Sequence, residues 1–414
     1  MITNNRSLQN WLAYIESFHP DEIELGLDRI RTIASKLDLL KFCGKVIIIA
    51  GTNGKGSCVA GLESFALRSD LSVGCYTSPH LIRFNERIRV NGKDISDERL
   101  VAAFKVIEKA RDDIAVTFFE FTTLVAFLIF REASLDLIVL EVGLGGRLDA
   151  VNIVKPDATI ITTIDYDHLS WLGHSLKNIA FEKSGICRKK IKNFVGDLKS
   201  YNLILEVRSE LVADLMLIEN EDSENDHIIN ISKWLSDKEI NPYRLLFQNF
   251  MLASQVFESL FSQEYSSINL PNVISNIDIK GRFQQISSAP LVIVDVAHNA
   301  QAATNLRYQI RNLPCKGGRY AICGLMADKA ISQFLKIMDE VIDHWYFVDL
   351  PIERAAYGED LRGLYSQMFP DTPVNVETDV QKAYKNIYDR LSKADQVFVF
   401  GSFITVAEML QCIE

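Results

Sequence analysis

Apolar residues recur at helical spacing through residues 1–38, with Trp11, Leu12 and Ile15 on one face and Leu27, Ile30, Ile33, Ala34 and Leu37 on another. This predicts two helices covering the first strand. Residues 46–50 then form an unbroken apolar run, Val-Ile-Ile-Ile-Ala, the pattern of a strand buried on both faces. A helix-compatible stretch follows over 58–68. Strand signals at 72–76, 135–141 and 158–164 alternate with helical ones near 98–111 and 120–132, which predicts an α/β sheet with crossover helices. Residues 87–95, RIRVNGKDI, alternate around Asn91-Gly92 and predict a hairpin beside that sheet.

Residues 219–226, ENEDSEND, are polar and acidic and read as a solvated loop. A polar stretch, QQISSAP at 284–290, separates a helical region from a fresh strand and sets the expected boundary. The expected division is a first domain over 1–284, a linker over 285–290 and a second domain over 291–414. In the second, strand signals at 291–296, 320–324, 345–348 and 396–401 alternate with helices over 330–342 and 381–391. That pattern predicts a smaller, Rossmann-like doubly wound domain.

With 414 residues and 48% hydrophobic content, the chain can bury both cores. Its net charge of −10 gives no general attraction to nucleic acid or to an anionic membrane, so any anion must be held by locally placed cations. The seven cysteines are scattered and form no C-x-x-C pair, which fits a reducing cytoplasm. No signal core leads the chain, and no apolar run approaches the ~20 residues of a membrane span.

Between the first strand and its helix lies GTNGKGS, residues 51–57. Glycines let backbone N–H groups approach phosphates, a helix N-terminus favours negative charge, Lys55 can neutralise phosphate oxygens and the Ser57 hydroxyl can ligate Mg²⁺. The expected ligand is ATP, bound by a phosphate loop whose spacing is shorter than the usual one. Glu141 stands near the end of a buried strand, and ITTIDYDH puts Asp165, Asp167 and His168 at the end of another. These groups suit a nucleotide–metal site, with Ser78 of TSPHL as a further oxygen ligand. Singly, Glu141 reads as well as a turn carboxylate, His168 as a satisfied histidine, and Lys183 in EKSGI as a helix C-terminal charge before a glycine cap.

The segments GLDRI, GTNGKGS, TSPHLIRFNERIRVNG, FFEFTTL, LEVGLGGRLDAVNI, DH before WLG, EKSGI, GRFQ, DVAHN and GSFITVAE follow one another through most of the chain. In this order they resemble the folate branch of the Mur ligase superfamily, and its bifunctional bacterial type most. The resemblance implies a phosphate-loop ATPase domain followed by a Rossmann-like glutamate ligase domain. It implies Mg²⁺, two ions, held by Ser57, Ser78, Glu141, His168 and Lys183, the last as a CO₂ adduct. It further implies ATP contacts from Asn53, Gly54, Lys55, Gly56, Ser57, Asn249, Arg282 and Asp295, with His298 at phosphate or an intermediate. Lys55, Lys183 and His298 would be the catalytic side chains. A pterin substrate is expected at Ile23, Glu24 and Leu25, at Thr117, Phe118, Phe119 and Glu120, and at Leu148, Asp149 and Ala150. Val151 and Ala300 depart from residues the family often carries there. The implied reaction is ATP-dependent ligation of L-glutamate to dihydropteroate and to reduced folates by a cytoplasmic monomer. A monofunctional folylpolyglutamate synthase, another Mur-type ligase and a non-catalytic nucleotide switch are the alternatives.

Overall fold

The computed structural model describes residues 6–17, 24–218, 244–270, 273 and 279–413, so the acidic stretch 219–226 and Ile23 lie outside the described residues. The chain divides into two compact units, Met1–Asp165 with Leu172–Ile277, and Asp278–Glu414 with the short segment Tyr166–Trp171.

The first unit is built on β1 (Lys45–Ala50), β2 (Val73–Tyr76), β3 (Ile88–Val90), β4 (Lys93–Asp94), β5 (Leu137–Glu141), β6 (Ala158–Ile161), β7 (Lys192–Val195) and β8 (Leu215–Leu217). Their order is β4-β3-β2-β5-β1-β6-β7-β8, parallel from β2 to β8, with the expected Asn91-Gly92 hairpin added antiparallel at the β2 edge. β1 is central, and its alternate residues enter opposite cores. Val46, Ile48 and Ala50 face one, and Ile47 and Ile49 the other, which is why the run has no polar alternation.

Helix α1 (Leu8–Glu16), α2 (Asp28–Lys36), α4 (Asp97–Arg111) and α5 (Phe118–Ala133) serve the first core. Helix α3 (Lys55–Arg68) and the helix Arg244–Leu260 serve the second. Helices α1 and α2 pack chiefly on α4 and α5 instead of on the first strand. The reason is α5, whose residues from Glu120 to Phe130 are all buried and which occupies that face of the sheet itself.

The second unit holds β9 (Gln284–Ser288), β10 (Leu291–Asp295), β11 (Arg319–Cys323), β12 (His344–Val348), β13 (Val374–Glu377) and β14 (Gln396–Phe400). Their order is β13-β12-β11-β14-β10-β9, parallel apart from β9. The expected linker is thus not a linker. Residues 284–288 form an edge strand hydrogen-bonded antiparallel to β10, and the change of unit falls near 278. All seven cysteines are free; Cys58, Cys75, Cys187 and Cys323 are buried and Cys43 is exposed. No helix of the described residues is long and apolar enough to cross a membrane.

Candidate active site

β1 neighbours β5 on one side and β6 on the other, and its C-terminal end opens into residues 51–57. Ligands of open parallel sheets collect at such strand ends. Two glycines shape the loop. A Cβ on Gly51, at φ +150°, would lie 1.8 Å from Thr162 Oγ1, and one on Gly54, at φ +91°, would lie 2.4 Å from Asn249 Nδ2. Helix α3 starts from Gly54 with no side-chain cap, leaving its first turn open toward an anion.

Two lysines converge on this loop. Lys55 Nζ donates to Gly51 O at 3.1 Å and to Thr52 O at 3.4 Å, and buried Lys183 Nζ donates to the same Gly51 O at 2.9 Å. The end of β6 braces the loop from below. Thr162 Oγ1 donates to Asn53 O at 2.6 Å, Thr163 Oγ1 accepts from Asn53 N at 3.2 Å, and Thr52 Oγ1 donates to Asp165 O at 3.1 Å. Asp165, expected at a metal, gives its main chain to the loop and turns its carboxylate to Lys199 at 3.5 Å. Sequence reading missed the two threonines as bracing residues; their pairing as ITT at a strand end was the available signal.

Glu141 ends β5 and is buried, with Oε2 accepting from Ser78 N at 3.2 Å in the loop after β2. Burial pushes the Cys58 thiol up, and the Glu141 carboxylate pushes it further, so Glu141 acts on the first turn of α3 beside Ser57. Ser57, Ser78 and Glu141 therefore stand at the ends of the adjacent strands β1, β2 and β5. Hydroxyl and carboxylate oxygens are hard donors, and this set fits Mg²⁺. Among the described residues, no three His, Cys, Asp or Glu side chains gather into a cluster that could hold a metal. Asn249 Nδ2 is buried against Gly54 without a hydrogen-bond partner, as a side chain waiting for a ligand would be.

Residues expected around the pterin also meet in the first unit. Thr117 caps α5, and Glu120 Oε2 accepts from Thr117 N at 2.8 Å and from Arg29 Nε at 3.0 Å. Arg29 pairs with Glu24 as well, tying the segment before α2 to α5; sequence reading passed over Arg29. Glu120 Oε1 is buried without a partner. Phe119 stacks on Tyr76 with centroids 5.7 Å apart and closes on Gly143, where a Cβ would lie 2.7 Å from its ring. Phe118 meets Phe84 edge-on, and Leu25 and Leu148 are half-buried. Asp149 Oδ2 accepts from Gly143 N and Leu144 N, both at 2.9 Å, and Oδ1 accepts from Val151 N at 3.0 Å. Asp149 thus fixes the glycine-rich loop after β5 and starts the turn carrying buried Ala150. Burial raises its pKa to about 6, against the opposing pull of these N–H groups and of Lys55.

In the second unit Asp295 ends β10 and accepts from Phe283 N and Ala297 N, both at 2.8 Å. Burial raises its pKa, with Arg282 the leading opposing influence. The Arg282 guanidinium lies 5.7 Å from the Phe403 ring centroid. His298 Nδ1 is 2.8 Å from Val296 O, and its Nε2 is 3.5 Å from Asp167 Oδ2. Asp167 and His168 belong to this unit by their contacts. Asp167 is buried in an ion pair with Lys329 and accepts from Asn299 Nδ2 at 3.1 Å. Burial disfavours its charge, but His298, His168 and Lys329 outweigh burial and hold it well below the usual carboxylate range. Asp167 is consequently already neutralised by protein groups instead of standing open to a metal.

Comparison with known proteins shows the family of the chain. Residues 281–403 match the Mur ligase, glutamate ligase domain. The dihydrofolate synthase/folylpolyglutamate synthase of Escherichia coli (strain K12) is 37% identical over 98% of this chain and 96% of its own length. The chain belongs to the dihydrofolate synthase/folylpolyglutamate synthase family. A second relative of that name, from Haemophilus influenzae, is 35% identical over 98% of both chains. Among solved structures, Escherichia coli FolC in complex with DHPP and ADP matches with a TM-score of 0.86 at 33% identity, covering 99% of this chain and 98% of that one. The bifunctional Yersinia pestis enzyme complexed with AMPPNP and Mn matches with a TM-score of 0.85 at 34% identity, with the same coverage. Both units are covered by the dihydrofolate synthase/folylpolyglutamate synthase family, including α1 and α2.

Proposed function

We propose that this chain uses ATP to join L-glutamate to dihydropteroate, giving dihydrofolate, and to reduced folates, extending them by further glutamates. The observation that carries this reading is the meeting of Lys55 and Lys183 on the Gly51 carbonyl, at a strand end flanked by Glu141. Lys55 offers a cation to a polyanion at this loop, and Lys183 brings its amine to the same place, where a carbamate on it would face a metal. Full-length relatives of that name support both halves of the activity.

In this reading Asn53, Gly54, Lys55, Gly56 and Ser57 cradle the ATP phosphates, and the Asn249 amide completes the cradle. Arg282 and Asp295 of the second unit are nucleotide contacts, and His298 faces phosphate or the tetrahedral intermediate. Ser57, Ser78, Glu141, His168 and a carbamate on Lys183 would hold two Mg²⁺ ions, the carbamate serving the second, and the ions would supply charge neutralisation. The carbamate forms when the Lys183 amine nitrogen bonds the carbon of CO₂ and releases a proton; it relieves the crowding of two ammonium groups at Gly51 O. An acceptor carboxylate oxygen attacks the γ-phosphorus and ADP leaves. The glutamate amine then bonds the acyl carbon, the C–O bond to phosphate breaks, and the nitrogen releases a proton as the amide forms. Lys55 balances charge on the moving phosphoryl group, and the loop holds attacking and leaving oxygens in line. Glu24, Leu25, the start of α5 and residues 148–150 hold the pterin end. The reading includes a cytoplasmic monomer acting on small molecules without nucleic acid or membrane, in keeping with the net charge of −10 and seven unpaired cysteines.

Purified chain is assayed for ADP release with dihydropteroate, and separately with a reduced folate, each with and without L-glutamate. Glutamate-dependent release is expected with both acceptors. Release with the folate alone would reduce the reading to folylpolyglutamate synthase, and glutamate-independent release would favour a nucleotide switch.

A further inference from the structure

Arg87 ends the short turn Phe84–Arg87 that follows the Ser78 loop. Its guanidinium carbon lies 5.8 Å from the Phe84 ring centroid and 5.5 Å from that of Phe118. Nε donates to His80 Nδ1 at 2.8 Å. The two terminal nitrogens, Nη1 and Nη2, have no hydrogen-bond acceptor among the described residues. This is unlike Arg29, Arg89, Arg111 and Arg147 of the same unit, each of which meets a carboxylate.

The surrounding groups orient Arg87 without neutralising it. The His80 imidazole meets Arg87 as a hydrogen-bond acceptor at Nδ1 and brings no negative charge to it. The Glu86 carboxylate is taken by the backbone N–H groups of Leu81, Ile82 and Arg83 at 2.7, 3.0 and 2.8 Å. Tyr76, Glu141 and Glu16 act on Arg87 only through space, against the burial that lowers its pKa. A half-buried, oriented fork with two open donors matches an oxyanion in bidentate geometry. It lies over Phe118, one of the expected pterin residues, and feels the charge of Glu141, which ends the strand beside β1.

We propose that Arg87, set by His80 and held between Phe84 and Phe118, receives the carboxylate of the acceptor substrate that is to be phosphorylated. The proposal rests on the ligase reading. A nucleotide phosphate is the other source of such an oxyanion, and the test separates the two.

Binding to the purified full chain is measured for three ligands: dihydropteroate, its analogue lacking the benzoate carboxylate, and a non-hydrolysable ATP analogue. Wild type is expected to prefer dihydropteroate to the analogue by about 10- to 100-fold, the span of one charge-assisted pair. Arg87→Ala should erase that preference while leaving affinity for the other two ligands within about 3-fold. Arg87→Lys, which keeps charge and stem but loses the fork, should recover only part of it, and it carries the test if the alanine variant does not fold. Equal weakening of dihydropteroate and its analogue would overturn the proposal in favour of packing alone. Weakening confined to the ATP analogue would assign the fork to phosphate, and a preference that survives in both variants would remove Arg87 from substrate binding. A wild type that binds neither pterin ligand would instead refute the ligase reading itself.

Discussion

Lys55 coils back over its own loop and is part of no hydrophobic core, so its removal should leave the fold and remove the chemistry. Lys55→Ala is expected to lower kcat by about 10²-fold or more, as loss of a preorganised charge does, with a thermal melt close to wild type. Near-normal turnover in a folded variant would take ATP chemistry away from this loop. Asp149 carries a pH effect. Its folded pKa of about 6 exceeds the ordinary aspartate value, so between about 4 and 6 the fold holds a proton that the unfolded chain has lost. The stability this group contributes is therefore fully present below its unfolded pKa and is lost as pH rises through about 6. The change amounts to ~2–3 kcal/mol. Asp149→Asn should flatten the difference between urea unfolding free energies at pH 4 and pH 7 by that amount, and an unaltered difference would show that another group is responsible. Lys55 and Ser57 were legible because their motif is contiguous. Thr162 and Arg29 were not, because they act on Asn53 and Glu120, 109 and 91 residues away.

At the scale of elements, runs of apolar residues proved the readable signal. β5 and β14, buried along their length, and β1, buried from Val46 onward, stand out in the sequence. β9 and β13 do not, because edge strands mix polar and half-buried positions, and Gln284–Ser288 consequently passed for a linker. Helix α1 was legible as a helix but not as to its partner. Trp11 is fully buried and meets Phe104 of α4 edge-on at 5.9 Å. Trp11→Ala should cost ~3–5 kcal/mol, and both ligase activities should fall by one factor as folded enzyme is lost. Chemical denaturation measures the first, and paired assays with dihydropteroate and a reduced folate measure the second. A selective loss with dihydropteroate would instead give α1 a direct part in the pterin site.

At the scale of the molecule, each unit has its own sheet and buries its own apolar residues, the second around Phe334, Trp345, Phe347, Tyr365 and Phe400. Such units melt with partial independence. Calorimetry is expected to resolve two overlapping transitions, with a non-hydrolysable ATP analogue shifting upward the one that belongs to the phosphate loop. A single transition with equal calorimetric and van't Hoff enthalpies would mean that the units unfold as one. The buried cysteines give the same question a chemical clock. Cys58, Cys75 and Cys187 lie in one unit and Cys323 in the other, and burial pushes all four thiols up, so none offers a thiolate while folded. Exposed Cys43 reacts at once and serves as the internal zero of time. A pulse of alkylating reagent followed by peptide mass spectrometry would then time the opening of each unit separately, in the native chain and with no label installed.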